Sequence, residues 1–430
     1  MMESQSGDAV EPTVLLVGTF DTKAVELASI RAAIERLDGS VITLDASVGG
    51  RSVEGAADIP ADVVARAAGL TLAELGALER GTAVSAMQKG VEAKTLDLFE
   101  RGQAHGVLCA AGAGAHLVAP AFQRLPLGVP KLIVTPLASG ARVFEPFVGI
   151  RDVAIMHSVA DIAGVNAVTE KIYAQAAGYI VGAVRAMAGV EGESPNGKPT
   201  VAVSMNGNTT AGVTEVRERM TELEFVAFHA NGAGGRAMES LVAEGEFSAV
   251  LDYTTTELCG HEVGGLMDPG PDRMEGAGKA GLPQVLVPGC LDLITCGRPE
   301  EAEREFPGRV YYPHNPELTL VRLTADEMFR LGEVFARKAN AARGPTAICV
   351  PMGGFSAPDR KGGLFWDPEA DGAFVDALQA KLTGNVQLHL VDAHINEPSF
   401  VDVVVDSLRA MIARHTTAVA REGGVVNVNR

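Results

Sequence analysis

The chain has few cysteines and no long apolar run. Its five cysteines are scattered without a CxxC pair, which argues against a disulfide framework and against a structural zinc site. The short, acidic N-terminus lacks the basic and apolar regions of a signal peptide, and no uninterrupted apolar stretch reaches membrane-spanning length. We therefore expect a cytoplasmic protein that has no membrane segment.

Positive charge and aromatic residues are also scarce. The 36 Lys and Arg residues face 54 Asp and Glu residues, a net charge of −18, which opposes binding to nucleic acid or to an anionic membrane surface. Aromatic residues make up 5% of the chain, while the hydrophobic fraction is 47% with 49 glycines. This composition is typical of a closely packed α/β protein, and 430 residues favour two domains.

Several well-known catalytic motifs are missing. The histidines lack the HExxH spacing of zinc proteases, and no GxSxG nucleophile elbow is present. The chain also lacks the GxxxxGK[ST] phosphate loop and the GxGxxG dinucleotide fingerprint. Any functional site must therefore be located from the pattern of strands and loops.

The first polar turn follows a buried strand. Val14–Val17 are apolar, as in a strand covered on both faces, and residues 24–37 carry an apolar stripe near the helical period. The turn between them contains Gly18, Thr19, Asp21, Thr22 and Lys23. Ligands of open α/β sheets bind at this position, so we expect a phosphate-bearing ligand here. Helix capping by the turn's polar side chains is the alternative.

The same order of strand, small-residue loop and helix recurs along the first half. Gly112 and Gly114 follow the strand 106–109, and Ser139 and Gly140 follow the strand 131–135. This order predicts a parallel sheet with its loops at one edge. Glycine in such a loop lets a backbone approach a ligand, or permits tight packing between helix and strand. The apolar, alanine-rich stretch 161–187 is predicted to form one long helix.

A domain boundary is predicted in the Gly- and Pro-containing stretch 189–199. We expect two α/β domains, 1–190 and 198–430, with mostly parallel sheets and their loop edges facing a shared cleft. The second half echoes the first, since the strand 200–204 is followed by a polar loop and a helix, as in the opening unit. Residues 310–316 are expected to form another strand followed by a polar loop.

Three residues of the second domain are candidates for catalysis. Asp252 and Glu257 flank three consecutive threonines and could bind Mg²⁺ or act as a base, because hard cations prefer oxygen ligands. Helix capping by Asp252 or Thr254 is the alternative. His314, in a Pro-His-Asn-Pro segment, is the histidine we expect to contact a ligand, although a turn histidine more often serves structure.

The first loop of the second domain suits a different ligand. It contains neither lysine nor an acidic residue, so it is poorly suited to a triphosphate with Mg²⁺. Its neutral donors could bind a small carboxylate or hydroxy-acid, with Arg273 or His314 supplying charge. The candidate substrate-binding residues are Asn206, Thr209, Thr210, Asn231, Gly234, Gly235 and Arg273.

An ordered set of motifs resembles one known family. The motifs are Gly18–Lys23 with Glu26 and Leu27, Asn231–Gly235 with Met238 and Glu239, Asp252–Leu258, Arg273, Pro313–Asn315 and Ile395–Pro398. They are similar to those of the ATP-binding proteins typified by the N-terminal region of the tomato mosaic virus resistance protein. The resemblance covers nearly the whole chain after residue 12.

The resemblance implies two Rossmann-like domains, ATP bound with Mg²⁺ in the first domain, and a homodimer. It places the nucleotide against Gly18, Thr19, Asp21, Thr22 and Lys23, assisted by Gly112, Gly114, Ser139 and Gly140, with Asp21 as the candidate Mg²⁺ ligand. Some relatives continue into a TIM barrel resembling phosphoenolpyruvate hydrolases, which we expect here as a separate partner protein.

The resemblance supplies no reaction, and two functions stay open. The chain is an Mg-ATP-dependent enzyme acting on a small carboxylate or related metabolite, or it is a nucleotide sensor that controls a partner protein.

Overall fold

The computed structural model describes residues 11–49, 55–139, 144–190 and 196–421, with side chains to residue 418. Gly140 lies outside the described residues. The chain separates into two compact units, residues 1–191 and 192–430. Within the described part of the chain, no helix is both long and apolar enough to cross a bilayer.

The N-terminal unit is built from five parallel strands and the helices around them. The strands are β1 (Thr13–Gly18), β2 (Ser40–Asp45), β3 (Gly106–Ala110), β4 (Lys131–Thr135) and β5 (Ala154–His157). The helices are α1 (Phe20–Glu35), α2 (Ala61–Ala67), α3 (Leu72–Ala77), α4 (Arg80–Glu100), α5 (Ala115–Gln123), α6 (Glu145–Val148) and α7 (Thr169–Met187), with a 3-10 turn at Pro136–Ala138.

The strand order in this unit is β2-β1-β3-β4-β5. Every pairing in it is parallel, as in the pairs of β1 with β2 and β3. Leu15 and Val17 pack into one core cluster and Val14 and Leu16 into another, so the sheet is covered on both faces. This covering explains why the strand is apolar at consecutive positions instead of alternating ones.

The C-terminal unit contains two sheets. Its strands are β6 (Thr200–Met205), β7 (Glu224–His229), β8 (Ala249–Thr254), β9 (Gln284–Gly289), β10 (Leu293–Cys296), β11 (Tyr311–Asn315), β12 (Leu318–Arg322), β13 (Thr346–Pro351) and β14 (Val386–Val391). Its helices are α8 (Thr210–Arg219), α9 (Ala233–Ala243), α10 (Glu257–Glu262), α11 (Gly276–Ala280), α12 (Pro299–Glu305), α13 (Ala325–Asn340), α14 (Pro368–Lys381) and α15 (Pro398–Arg421).

The larger sheet has the order β14-β13-β9-β8-β6-β7 and is parallel. Its segment β7-β6-β8-β9 repeats the order β2-β1-β3-β4 of the first unit. Both units are thus doubly wound α/β sheets, and the predicted fold class of two Rossmann-like domains with mostly parallel sheets is confirmed.

The small sheet β10-β12-β11 is antiparallel and differs from the prediction for residues 310–316. Pro313 and His314 lie within β11 and not in a loop after a strand. Proline lacks an amide donor and is tolerated on an edge strand, which is the place of β11. The pairing register with β12 shifts between Pro313 and Asn315.

Helix α7 begins later than the sequence pattern predicted. Residues 161–168 form a loop, in which Gly164 has a positive φ of 80°. The Asn166 Oδ1 atom accepts hydrogen bonds from the amides of Val168 (3.0 Å) and Thr169 (3.2 Å). This side chain competes with helical hydrogen bonding and delays the start of the helix to Thr169.

Candidate functional site

The loops after β1 and β3 adjoin at the carboxyl edge of the N-terminal sheet. A Cβ atom placed on Gly114 would lie 3.8 Å from Thr19 Cγ2, and one placed on Gly112 would lie 4.0 Å from Asp161 Oδ1. The strand order reverses between β1 and β3, and doubly wound sheets bind ligands at such a switch point. The structure thus brings together Thr19, Gly112 and Gly114 of the predicted nucleotide site.

The first amides of α1 are already occupied. The Asp45 carboxylate accepts hydrogen bonds from the amides of Phe20 (3.1 Å) and Ser47 (2.9 Å). The Ser47 hydroxyl accepts one from the amide of Asp21 (3.1 Å). Burial raises the pKa of Asp45. An internal carboxylate therefore takes the place that a ligand phosphate would have at this helix start.

The start of α5 is open by comparison. The amides of Gly112, Ala113 and Gly114 make no hydrogen bond to any described residue. A Cβ on Gly112 would contact nothing closer than 4.0 Å, so neither packing nor a positive φ explains the glycine. These amides lie at a helix N-terminus, which attracts anions. At this edge of the sheet, the amides without a described partner therefore lie at the start of α5 and not at the start of α1.

The other predicted residues of this edge have internal contacts. A Cβ on Gly18 would lie 2.6 Å from Leu27 Cδ1, so this glycine serves packing of helix on strand. The Lys23 ammonium donates a hydrogen bond to the carbonyl of Ile162. The hydroxyls of Thr19 and Thr22 are 3.1 Å apart, and the Asp21 carboxylate belongs to an exposed residue.

Ser139 lies beside a histidine at the same edge. Its Oγ is 2.9 Å from Nε2 of His157, and Nδ1 of that ring accepts the amide of Val159 at 3.2 Å. Because Nδ1 is an acceptor, Nε2 of the neutral ring carries the proton and donates it to Ser139. The serine therefore keeps its own proton available for a ligand.

In the C-terminal unit, Asp252, Glu257 and Arg273 form a buried ion cluster. Arg273 donates from Nε to Glu257 Oε2 (2.6 Å), and from Nη1 and Nη2 to the two Asp252 oxygens (2.5 and 2.7 Å). Nη1 also reaches Glu239 Oε1 at 3.2 Å. The arginine side chain is fully buried. Burial lowers the pKa of Arg273, but the Asp252 and Glu257 charges outweigh this and raise it well above its usual value.

The cluster also holds the loop that begins α9. The second Glu257 oxygen accepts the amides of Gly232 (2.5 Å) and Gly235 (2.9 Å), and Asn231 Oδ1 accepts the amide of Gly234 (3.0 Å). The amides predicted to bind substrate thus have internal partners. This arrangement favours a structural role for Asp252, Glu257 and Arg273, and their part in catalysis or substrate binding stays a prediction without geometric support.

The remaining candidates of this unit are divided between buried and exposed positions. Thr209 is fully buried, with its hydroxyl 2.7 Å from that of Thr254. Asn206 accepts the amide of Asn208 (2.9 Å) through its side chain, and its carbonyl accepts the Thr210 hydroxyl (2.8 Å). His314 is exposed on β11 of the small sheet.

Metal ligands are sparse in both units. Among residues 11–49, 55–139, 144–190 and 196–418, no group of three His, Cys, Asp or Glu side chains is placed to hold a metal ion. Mg²⁺ can be bound through one or two carboxylates plus phosphate oxygens. Asp21 fits this mode, in which the nucleotide supplies most of the ligands.

A cleft beside the larger sheet is lined by residues outside the predicted site. It has a volume of ≈ 700 Å³, and its lining includes Arg360, Lys361 and Trp366. None of these residues stands out as part of a motif. The available signal was the chain's single tryptophan, which lies five residues after an adjacent basic pair in a strongly acidic protein.

Comparison with known proteins places both units in one family. Residues 12–189 match the N-terminal domain of the uncharacterised protein family UPF0261, and residues 198–412 match its C-terminal domain. A UPF0261 protein of Clostridium tetani is 35% identical over 406 residues, which are 93% of this chain and 99% of that protein.

A plant relative and a solved structure were also found. The Solanum lycopersicum protein named ToMV resistance protein Tm-1(GCR237) is 34% identical over 420 residues, covering 92% of this chain and 55% of the tomato protein. UDP-GlcNAc 2-epimerase from Neisseria meningitidis aligns over 93% of this chain and 100% of its own with 9% identity and a TM-score of 0.23, a similarity too low for any argument about function. The two domain matches and the relatives at more than 30% identity show that the chain belongs to the uncharacterised protein family UPF0261.

Proposed function

We propose that the N-terminal unit binds ATP with Mg²⁺ at the switch point between β1 and β3. The observation that carries this proposal is the set of three consecutive amides, Gly112 to Gly114, which make no hydrogen bond to a described residue and lie beside Thr19. A glycine-containing loop that opens a helix at a switch point is the usual phosphate-binding arrangement of doubly wound sheets.

The predicted contacts other than Gly18, which packs against Leu27, are assigned as follows in this proposal. The amides of residues 112–114 donate hydrogen bonds to the phosphates. The hydroxyls of Thr19 and Thr22, in the segment that follows β1, donate further hydrogen bonds to them. Lys23 leaves the Ile162 carbonyl to pair with a phosphate. The exposed Asp21 carboxylate completes the coordination of Mg²⁺ together with phosphate oxygens. Ser139 supplies a further donor, and Gly140 stays a prediction.

In this proposal the protein is an enzyme that uses the bound nucleotide to activate or phosphorylate a small carboxylate or related metabolite. A sensor that controls a partner protein is the second candidate, and one observation favours it. Asp252 and Glu257, the carboxylates that sequence suggested as base or metal ligand, are buried against Arg273. Homodimer formation and a separate barrel partner belong to the same proposal and rest on the resemblance, whereas a cytoplasmic location is proposed from the scattered cysteines.

The binding proposal is tested by a substitution that fills the space above the free amides. Gly112→Val adds a branched side chain where the atom nearest to the added Cβ, Asp161 Oδ1, is 4.0 Å away, so folding should be little affected while phosphate approach is blocked. We expect at least a tenfold weaker Mg-ATP affinity, about 1.4 kcal/mol or more, by isothermal titration calorimetry. Unchanged affinity would refute the placement on α5.

The matched control is Gly207→Val, in the loop after β6 of the C-terminal unit. A Cβ on Gly207 meets nothing within 4 Å, and the atom nearest to one on Gly112 is 4.0 Å away, so both positions are open and the two variants differ chiefly in location. Gly207→Val should bind Mg-ATP as the unmodified chain does. Absence of Mg-ATP binding by the folded, unmodified chain would overturn the whole proposal.

Turnover separates the two functions. The protein is incubated with Mg-ATP and a cell metabolite extract, and ADP, AMP and phosphate are followed by mass spectrometry. Nucleotide turnover that depends on the extract supports the enzyme, whereas tight binding without turnover supports the sensor.

A further inference from the structure

The carboxyl ends of β13 and β14 border the cleft that contains Arg360, Lys361 and Trp366. Met352 and Gly353 follow β13 in its lining, and Asp392 follows β14. Its volume of ≈ 700 Å³ lies within the range of about 300–1,000 Å³ that small-molecule sites occupy. The position outside the carboxyl ends of parallel strands is the one that ligands of open α/β sheets use.

The cleft carries two cations that no carboxylate neutralises by direct contact. Arg360 and Lys361 are exposed and form no ion pair with a described residue, in a chain of net charge −18. By contrast, Arg322 of the same unit holds Asp371 at 2.6 Å. Asp392 and Glu397 also line the cleft, so its four charges sum to zero. This balance favours a ligand with one negative charge over a phosphate dianion.

The cleft also offers a flat apolar surface. Trp366 is the only tryptophan of the chain and is partly exposed. It takes no part in the ring pairs of the described residues, while Phe355, Phe365 and other aromatic side chains do. A partly exposed indole in the same cleft as an arginine suits a planar group that carries a carboxylate, because the ring can stack and the guanidinium can pair with the oxygens.

One wall of the cleft is fixed by hydrogen bonds. His394 Nε2 lies 2.9 Å from the carbonyl of Ser356, and its Nδ1 accepts the amide of Asn396 at 3.2 Å. Nε2 therefore carries the proton of a neutral ring whose two nitrogens are both engaged. The Asn396 side chain accepts the amide of Gly212 (3.0 Å) and donates to the carbonyl of Asn208 (2.8 Å). This wall is held in place before any ligand arrives.

Hydrogen bonds to buried residues hold both ends of the loop that carries Arg360, Lys361 and Trp366. The Phe355 amide donates to Asp359 Oδ2 (2.8 Å), and the Ser356 hydroxyl donates to Asp292 Oδ2 (2.7 Å). Arg322 Nε donates to the carbonyl of Phe365 at 2.8 Å. Buried contacts at both ends of the loop hold its backbone in place, which reduces the part of the ordering cost of binding that comes from the backbone.

We propose that this cleft is a binding site for a small aromatic carboxylate, with the carboxylate on Arg360 and Lys361 and the ring against Trp366. The site lies wholly within the C-terminal unit and uses none of the residues assigned to ATP. It stands independently of the proposed nucleotide site, and its test contains no nucleotide. It also moves the small-carboxylate site away from the loop at Asn206, whose donors have internal partners.

The test uses the full chain and the fluorescence of its single tryptophan. A panel of aromatic monocarboxylates that lack an indole fluorophore, including benzoate and phenylacetate, is titrated to millimolar concentration beside the corresponding neutral amides and aryl phosphates. We expect a saturable change in Trp366 fluorescence for carboxylates and a much weaker response for amides. Equal response to acid and amide, tighter binding of the aryl phosphates, or no binding by any carboxylate would overturn the proposal.

Two arginine variants assign the binding to the cleft. Arg360→Gln removes the guanidinium and should weaken carboxylate binding about tenfold, which is about 1.4 kcal/mol, because a charge-assisted hydrogen bond is lost. Arg343→Gln is the matched control, because Arg343 is also exposed but precedes β13 at the opposite end of the strand. Calorimetry should show unchanged binding for Arg343→Gln. Equal binding by both variants, with unchanged unfolding midpoints, would place the ligand elsewhere.

Discussion

A buried group of aspartates predicts how the stability of the C-terminal unit depends on pH. Asp292, Asp359 and Asp371 are buried around Arg322. Burial, followed by the charge of a neighbouring aspartate, raises the pKa of Asp292 and of Asp359 to about 7. Burial raises the pKa of Asp371 to about 6, against the lowering effect of the Arg322 charge.

The sign of the effect follows from the protons held by each state. Between the unfolded-state pKa of about 3.9 and the folded-state value, the folded chain keeps a proton that the unfolded chain has released, so stability falls as pH rises. The slope for one such group is about 1.4 kcal/mol per pH unit. For Asp292 alone, the interval from about pH 5.5 to about pH 7 corresponds to a loss of about 2 kcal/mol.

The perturbation is Asp292→Asn, which keeps the shape of the side chain and removes its titration. Trp366 reports on the C-terminal unit, because the N-terminal unit has no tryptophan. Urea unfolding followed by tryptophan fluorescence should show the free energy of unfolding falling with pH in the unmodified chain. In Asp292→Asn the fall should be smaller by about 2 kcal/mol over the same interval.

The control is Asp376→Asn, an exposed position on α14, the helix that also carries Asp371. Its pH dependence should match that of the unmodified chain. An Asp292→Asn slope equal to that of the control would refute the reasoning, because Asp292 would then be no more protonated in the folded chain than in the unfolded one.

Three further predictions concern the charged groups of the two units. Lys23→Ala should weaken Mg-ATP binding while lowering the stability of the unliganded chain by less than about 1 kcal/mol, the value of one hydrogen bond; a comparable loss of stability in thermal unfolding would favour a purely structural lysine. Arg273→Met should destabilise the C-terminal unit by about 3–5 kcal/mol in urea unfolding, since it leaves buried carboxylates without their cation, and a stability equal to that of the unmodified chain would show the cluster to be dispensable. Calorimetric titration should saturate at one Mg-ATP per chain, because the loop at Asn206 lacks lysine and carboxylate; a stoichiometry of two would show that the repeated architecture repeats the nucleotide site as well.

The sequence determined the class of fold through its local patterns. Strands such as Val14–Val17 are apolar at consecutive positions because both sheet faces are covered, and polar loops follow them because parallel strands end at one edge. These patterns extend over neighbouring residues, so they can be recognised without coordinates. The strand expected within residues 310–316 is present, but its antiparallel pairing and the place of Pro313 inside it were not predicted, because they depend on β12, which local composition does not specify.

The sequence locates the polar loops at the sheet edges, but it does not show which of their polar groups are free to bind a ligand. A polar loop can bind a ligand or satisfy its own backbone, and the difference depends on side chains that are distant in sequence. Asp45 occupies the amides at the start of α1 from 25 residues away. Glu257 occupies those around Gly235 from 22 residues away. Local sequence does not reveal such partners.

Only the tertiary structure decided which polar groups stay free. It paired Asp252, Glu257 and Arg273, which are far apart along the chain, and left the amides of residues 112–114 and the cations Arg360 and Lys361 without an internal partner among the described residues. The physical reason is that a buried polar group must find a partner when the chain folds, and long-range contacts determine which partner it finds. Sequence therefore placed the loops at one sheet edge, and packing determined which loops remain open to a ligand.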